Sequence, residues 1–232
     1  MKDEKINKEE EQKIEDELRK LGYWSDVYSI PNVFGTGPTK LAEMAYALIK
    51  DSHTKNILEI GCGQGRDAIF FSEKGFLVET FDISENAIKF VNKTKESFNL
   101  KNLNAIVHDV NKIFPYHIKS FDFIYSNLAL QFFDIDSLEN IFDNIYRVMK
   151  DDATILFSTK KKGDKYYDFG TKINEHAFEY KGITRYFYDR TVLEQILKQK
   201  FEILNFNEDH HENPNLTTSV WWKILLKKSE KQ

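Results

Sequence analysis

The chain has 232 residues, of which 41% are hydrophobic, 14% aromatic and 30% charged. That is ample for a closed core and too apolar for a disordered chain. Lys and Arg number 33 against 37 Asp and Glu, a net charge of -4, which argues against a partner bound through nucleic-acid phosphates. Cys62 is the one cysteine, so no internal disulfide forms. No Cys/His set has zinc-ligand spacing, and no metal site is expected.

In chain order, residues 1–22 read as a charged arm in which Ile14, Leu18 and Leu21 follow helical spacing. The opening is Lys/Glu-rich rather than a basic flank followed by an apolar stretch, so no secretory leader is expected. The longest conspicuous uncharged run, Phe123 to Phe133, falls far short of the roughly 18 residues a membrane helix needs. These signs predict a cytoplasmic protein with no membrane partner, its remaining residues 23–232 forming one domain. An aromatic segment, Tyr23-Trp24-Ser25-Asp26-Val27-Tyr28, leads to Phe34-Gly35-Thr36-Gly37-Pro38. Pro38 suits the first turn of a helix, where its missing N–H costs nothing. Leu41, Met44, Ala45, Leu48 and Ile49 then mark a buried helix face.

From residue 56 strand and helix alternate. Strands are predicted at Asn56 to Ile60, Leu77 to Phe81, Leu103 to Val107, Phe121 to Tyr125 and Ala153 to Ser158. The helix after the first strand should stop at Gly75. Ser84 is a good N-cap, with Ile83 and Ile88 spaced as a hydrophobic staple and Ile88, Val91 and Phe98 on the buried face. Leu138, Ile141, Phe142, Ile145, Val148 and Met149 trace another amphipathic helix; Asp189 caps one using Leu193, Ile196 and Leu197. Between these lies an aromatic-rich insertion at about 160–188, entered through Lys160-Lys161-Lys162, which reads as a solvated strand end. Phe201 to Asn207 and Val220 to Leu226 have no helix between them and should pair antiparallel. His210-His211, with Asp209 and Glu212, is expected in the exposed loop joining them. The fold class is α/β: one Rossmann-like, doubly wound sheet of about seven strands, mostly parallel, closed by an antiparallel C-terminal hairpin.

The strongest local signal is Ile57-Leu58-Glu59-Ile60-Gly61-Cys62-Gly63-Gln64-Gly65-Arg66-Asp67. A strand ends in a glycine turn that opens a helix, so a ligand can lie directly against the main chain. Dinucleotide folds favour G-x-G-x-x-G; here the third glycine comes one position early, at Gly65, and Arg66 stands in its place. Asp82, at the end of the second strand, suits a ribose diol in either cofactor class. Cys62 reads as a small packing residue, since no activating base accompanies it.

Glu59 to Gly65 resembles the first motif of the class I S-adenosylmethionine-dependent methyltransferases, and the resemblance runs in order over roughly residues 38 to 160. It implies S-adenosylmethionine as cofactor, held by Glu59, Gly61, Cys62, Gly63 and Gly65. Asp82, with Ile83 beside it, matches the acid that holds the ribose hydroxyls. Asp109 and Val110 match the segment that contacts the adenine. Asn127 lies in Ser126 to Phe132, which matches the segment beneath the cofactor. Asp151-Asp152 replaces the common Pro-Gly before the fifth strand, a departure that bears on turn geometry.

The acceptor is harder to read. The chain has Ser126-Asn127-Leu128-Ala129 where enzymes acting on exocyclic amines carry Asn/Asp-Pro-Pro-Tyr/Phe, so that subclass is disfavoured. Tyr23-Trp24, Phe34 to Pro38 and Gly63 to Asp67 together resemble the small methyltransferases of the tellurite-resistance and thiopurine type. That implies a small-molecule acceptor, such as a thiol or chalcogen oxyanion; the candidate residues to contact it are Trp24, Phe34, Gln131 and Arg185. No catalytic base is identified; Gln131 cannot take a proton. The alternatives are a cofactor-binding regulatory protein of the same fold without turnover, and an NAD-linked oxidoreductase.

Overall fold

The computed structural model describes residues 22–212 and 217–229. The helical stripe of Ile14, Leu18 and Leu21 lies outside the described residues. Residues 22–27 are helical and run into an irregular strap that reaches Thr39.

Seven strands form the main sheet. Five are parallel: β1 (Asn56–Ile60), β2 (Leu77–Asp82), β3 (Leu103–Val107), β4 (Phe121–Asn127) and β5 (Met149–Lys160). The last two, β9 (Phe201–Glu212) and β10 (Thr218–Lys228), make the antiparallel hairpin, with β10 inserted beside β5. The spatial order is β3-β2-β1-β4-β5-β10-β9. Order therefore reverses between β1 and β4, which opens a crevice at the carboxyl ends of those strands.

Both sheet faces are covered, which is why β1 is buried along nearly its whole length. One face packs against α1 (Lys40–Ile49), α2 (Arg66–Glu73) and α3 (Glu85–Ser97) through Ala45, Phe71 and Val91. The other packs against α4 (Ile135–Val148) and α5 (Arg190–Leu197) through Ile141, Phe142 and Leu197. All six apolar residues expected on the α4 stripe are buried, Met149 now as the first residue of β5. The Ser84 hydroxyl accepts from the Ala87 amide as an N-cap should, and Gly75 follows the C-cap of α2 with φ +91°.

Several expectations fail for local reasons. α1 starts at Lys40, because the Thr39 side chain caps it and Pro38 stands outside. Leu48 is 49% exposed, the buried face being Leu41, Ala42, Ala45 and Ile49. Phe98 is the C-cap of α3 and 62% exposed, since it lies beyond the last turn facing the sheet. No helix joins β3 to β4; Asp109 and Pro115 punctuate that connection as a loop. His210 and His211 lie within β9, opposite Val220 and Ser219, because the hairpin strands run longer than their apolar cores.

The insertion after β5 folds as its own antiparallel sheet, β6 (Thr171–Asn174), β7 (Ala177–Tyr180) and β8 (Ile183–Tyr186). Phe178, Phe187 and Tyr188 are buried by it, whereas Phe169 and Tyr180 pack on each other at its surface. Lys160 is not a solvated strand end. It is 5% exposed, paired with Asp164 and seated over the Trp221 ring at 5.5 Å.

Candidate cofactor and acceptor cleft

The crevice is one open cleft. Its wall includes every residue expected to bind cofactor or acceptor except Gly65: Glu59, Gly61, Cys62, Gly63, Asp82, Ile83, Asp109, Val110 and Asn127, then Trp24, Phe34, Gln131 and Arg185. Gly65 instead initiates α2 from φ +76°, and a Cβ there would lie 2.6 Å from Val91 Cγ2. Its smallness lets α3 pack beneath the loop. Gly63 has the opposite neighbour: a Cβ on it would stand 2.8 Å from the Tyr28 hydroxyl. The loop is thus pressed between α3 below and the strap above.

Three buried carboxyls surround this turn, Glu59 at 3%, Asp67 at 2% and Asp82 at 7% exposure. Among the described residues none of them forms an ion pair within 4 Å. Asp82 is oriented by main-chain donors: the Gly63 amide donates to Oδ2 and the Ser84 amide to Oδ1, each at 2.9 Å. Asp67 accepts from the Thr39 amide, the Thr39 hydroxyl and the Tyr125 hydroxyl. Glu59 Oε2 has no partner. Burial pushes the Glu59 carboxyl well above its ordinary range, and the charges of Asp67 and Asp82 push it further. Burial also raises Asp82 and Asp67, against the pull of their hydrogen bonds.

Such a cluster calls for a cation. A ligand with an ammonium and a sulfonium group meets the requirement, because its charges replace the water that burial removed. The residues present therefore fit S-adenosylmethionine.

Other residues take positions the sequence did not reveal. Asp109 Oδ1 accepts from the Asn111 amide at 2.9 Å, closing its own turn, while the residue lines the cleft. His108 packs edge-on to Phe81 with its Nε2 unpartnered, and burial lowers its pKa. Asn127 Oδ1 accepts from the Ser158 hydroxyl at 2.6 Å. Cys62 is buried, its thiol donating to the Gly63 carbonyl and pushed up by desolvation, which leaves it inert as a nucleophile. Tyr28 stacks on Trp24, and burial keeps its phenol protonated.

Beyond the loop, aromatic and cationic groups define the other end of the cleft. Trp24 meets the Phe132 ring edge-on at 5.1 Å. The Arg185 guanidinium stands 4.8 Å from the Tyr166 centroid and 5.7 Å from that of Phe132. Gln131 is 6% exposed with Oε1 unpartnered. Lys160 and Lys165 complete a basic rim; burial pulls the Lys160 ammonium's pKa down and Asp164 opposes that pull. Sequence reasoning missed the burial of Lys160 because the Trp221 ring that covers it is distant in the chain, although its ion-pair partner Asp164 is four residues on. Spacing gives no sign of the Trp221 contact.

The chain is 36% identical over 90 residues to a probable S-adenosyl-L-methionine-dependent methyltransferase, TehB, of Haemophilus influenzae, covering 38% of this chain and 30% of that protein. It is 34% identical over 179 residues to a malonyl-[acyl-carrier protein] O-methyltransferase of Ilyobacter polytropus, covering 73% of this chain and 63% of that protein. The matched region thus spans less than two thirds of either relative. The crystal structure of Haemophilus influenzae TehB shares the fold at a TM-score of 0.64 and 23% identity, covering 90% of this chain and 67% of that one. The family model for the tellurite resistance protein TehB matches residues 18–213, and the chain belongs to that family.

Proposed function

We propose that the protein transfers a methyl group from S-adenosylmethionine to a small acceptor bearing an anionic oxygen or sulfur. The observation that carries the reading is the trio Glu59, Asp67 and Asp82, buried at the glycine loop with no ion-pair partner within 4 Å among the described residues. When bound, the cofactor supplies an electrophilic methyl carbon whose bond to sulfur breaks as the acceptor's lone pair forms the new bond, the sulfonium charge being neutralised. In this reading Asp82 accepts the ribose hydroxyls with the lone pairs its amide contacts leave free. Glu59 faces the methionine end, and Asp109, Val110 and Ile83 flank the base.

The acceptor end supports an anion. Arg185 and Lys165 bring positive charge to a wall otherwise built from Trp24, Phe34 and Phe132, while the Lys160 charge is balanced by Asp164. Arg185 orients the acceptor, the rings keep water from the methyl, and Gln131 accepts from any N–H or O–H it carries. A thiolate, selenite, tellurite or carboxylate needs no proton removed during transfer, so such an acceptor makes no demand for a general base. A screen of these four classes, read as S-adenosylhomocysteine formation, tests the reading. Turnover of an anionic acceptor, lost in Arg185→Ala, is the expected result. Tight S-adenosylhomocysteine binding with no turnover of any acceptor favours a regulatory binder instead.

A further inference from the structure

Gln64 and Arg66 belong to the glycine loop by sequence and line the cleft, yet both commit their polar atoms to the segment above the loop. Gln64 Nε2 donates to the Tyr28 carbonyl at 3.3 Å and the Ile30 carbonyl at 2.9 Å, and Oε1 accepts from the Val33 amide at 3.1 Å. Arg66 Nε donates to the Gly37 carbonyl at 2.7 Å, Nη2 to the Pro38 carbonyl at 3.4 Å, and Nη1 to the Phe34 carbonyl. Six contacts from two neighbouring side chains thus fasten residues 28–38, every one to the main chain. The strap has no strand or helix of its own between Ile30 and Pro38, so these side chains replace the hydrogen bonds secondary structure would supply.

We propose that Gln64 and Arg66 are positioning residues that latch the strap over the cofactor. The inference rests on the methyltransferase reading above. The strap carries Tyr28, whose hydroxyl sits against Gly63, and Phe34, which lines the cleft. One loop therefore does two tasks: its glycines make room for the cofactor, and its polar side chains hold down the wall opposite. Because the latch grips carbonyls and one amide, it constrains the strap's path and not its side chains. Arg is suited to the outer position, since its fork reaches three carbonyls at once where a lysine reaches one.

The test uses the full chain and its Gln64→Ala, Arg66→Ala and Arg66→Lys variants. S-adenosylhomocysteine affinity is measured by calorimetry, and amide exchange of residues 28–38 is followed without ligand. A closed strap populated only a tenth of the time weakens apparent affinity roughly tenfold. The alanine variants should show that loss, faster exchange confined to the strap, and a cofactor KM that rises more than kcat falls. Arg66→Lys keeps the charge but should still loosen residues 34–38, which separates a latch from a simple electrostatic role. Unchanged exchange in both alanine variants overturns the proposal, as does a loosened strap with unchanged affinity. Failure of the unmodified chain to bind S-adenosylhomocysteine sinks the cofactor reading instead, while the exchange data still decide whether the latch exists.

Discussion

Asp82 serves two masters, and its substitutions should separate them. It orders the glycine loop by accepting the Gly63 and Ser84 amides, and it faces the cleft. Asp82→Ala should weaken S-adenosylhomocysteine binding by about 2 kcal/mol and also destabilise the fold, because two buried amides lose their acceptor. Asp82→Asn keeps one acceptor oxygen and should recover most of the stability while calorimetry still shows weakened binding. Glu59 offers the reverse case. Its carboxyl is buried, unpartnered at Oε2 and crowded by two other acids, so Glu59→Gln should raise the melting temperature of the ligand-free protein and lower cofactor affinity. A fall in both would mean that the Glu59 charge is balanced by something else in the fold. At this scale the sequence was informative wherever a motif fixed the position, as at Glu59 and Asp82. It was silent on the burial of Tyr28 and wrong about Lys160, which the distant Trp221 covers.

Among elements, the glycine loop is constrained from below by a helix. Gly65→Ala combines a positive φ with overlap against Val91, and should cost about 1–3 kcal/mol in denaturant unfolding. Adding Val91→Ala removes the overlap but not the backbone strain, so the double variant should recover only part of that loss. Full recovery would show that the backbone conformation costs nothing at this position. The parallel strands and α4 were legible because their apolar periods are strong and uninterrupted. The insertion was not. β6, β7 and β8 have four residues each, β6 is exposed throughout, and the alternating burial of β8 falls on Ile183 and Arg185, so no apolar alternation marks them. β8 packs onto the turn Leu130–Phe132, bringing Arg185 to Phe132.

For the molecule as a whole, the raised acids tie stability to pH. Glu59, Asp67 and Asp82 lie above their ordinary values of 4.5, 3.8 and 3.8 in the folded protein. Between those values and the raised ones the folded chain holds more protons than the unfolded chain, so ligand-free stability should rise as pH falls through that window. Melting temperature should therefore increase as pH falls towards the ordinary carboxylate range and level off only once the acids are protonated in both states. Binding a cationic ligand should expel those protons and flatten the dependence, with proton release visible as a buffer-dependent calorimetric enthalpy. A melting temperature that falls steadily over the same range would contradict the assignment. The sequence alone determined the doubly wound sheet, its closing hairpin and the glycine turn with Asp82 at the neighbouring strand end, because each is written in local period and spacing. Only the tertiary structure decided that three acids share one buried space, that Lys160 is enclosed, and that Gln64 and Arg66 reach the strap. Those facts depend on which distant segments the sheet order brings into contact, and burial and charge act through space rather than along the chain.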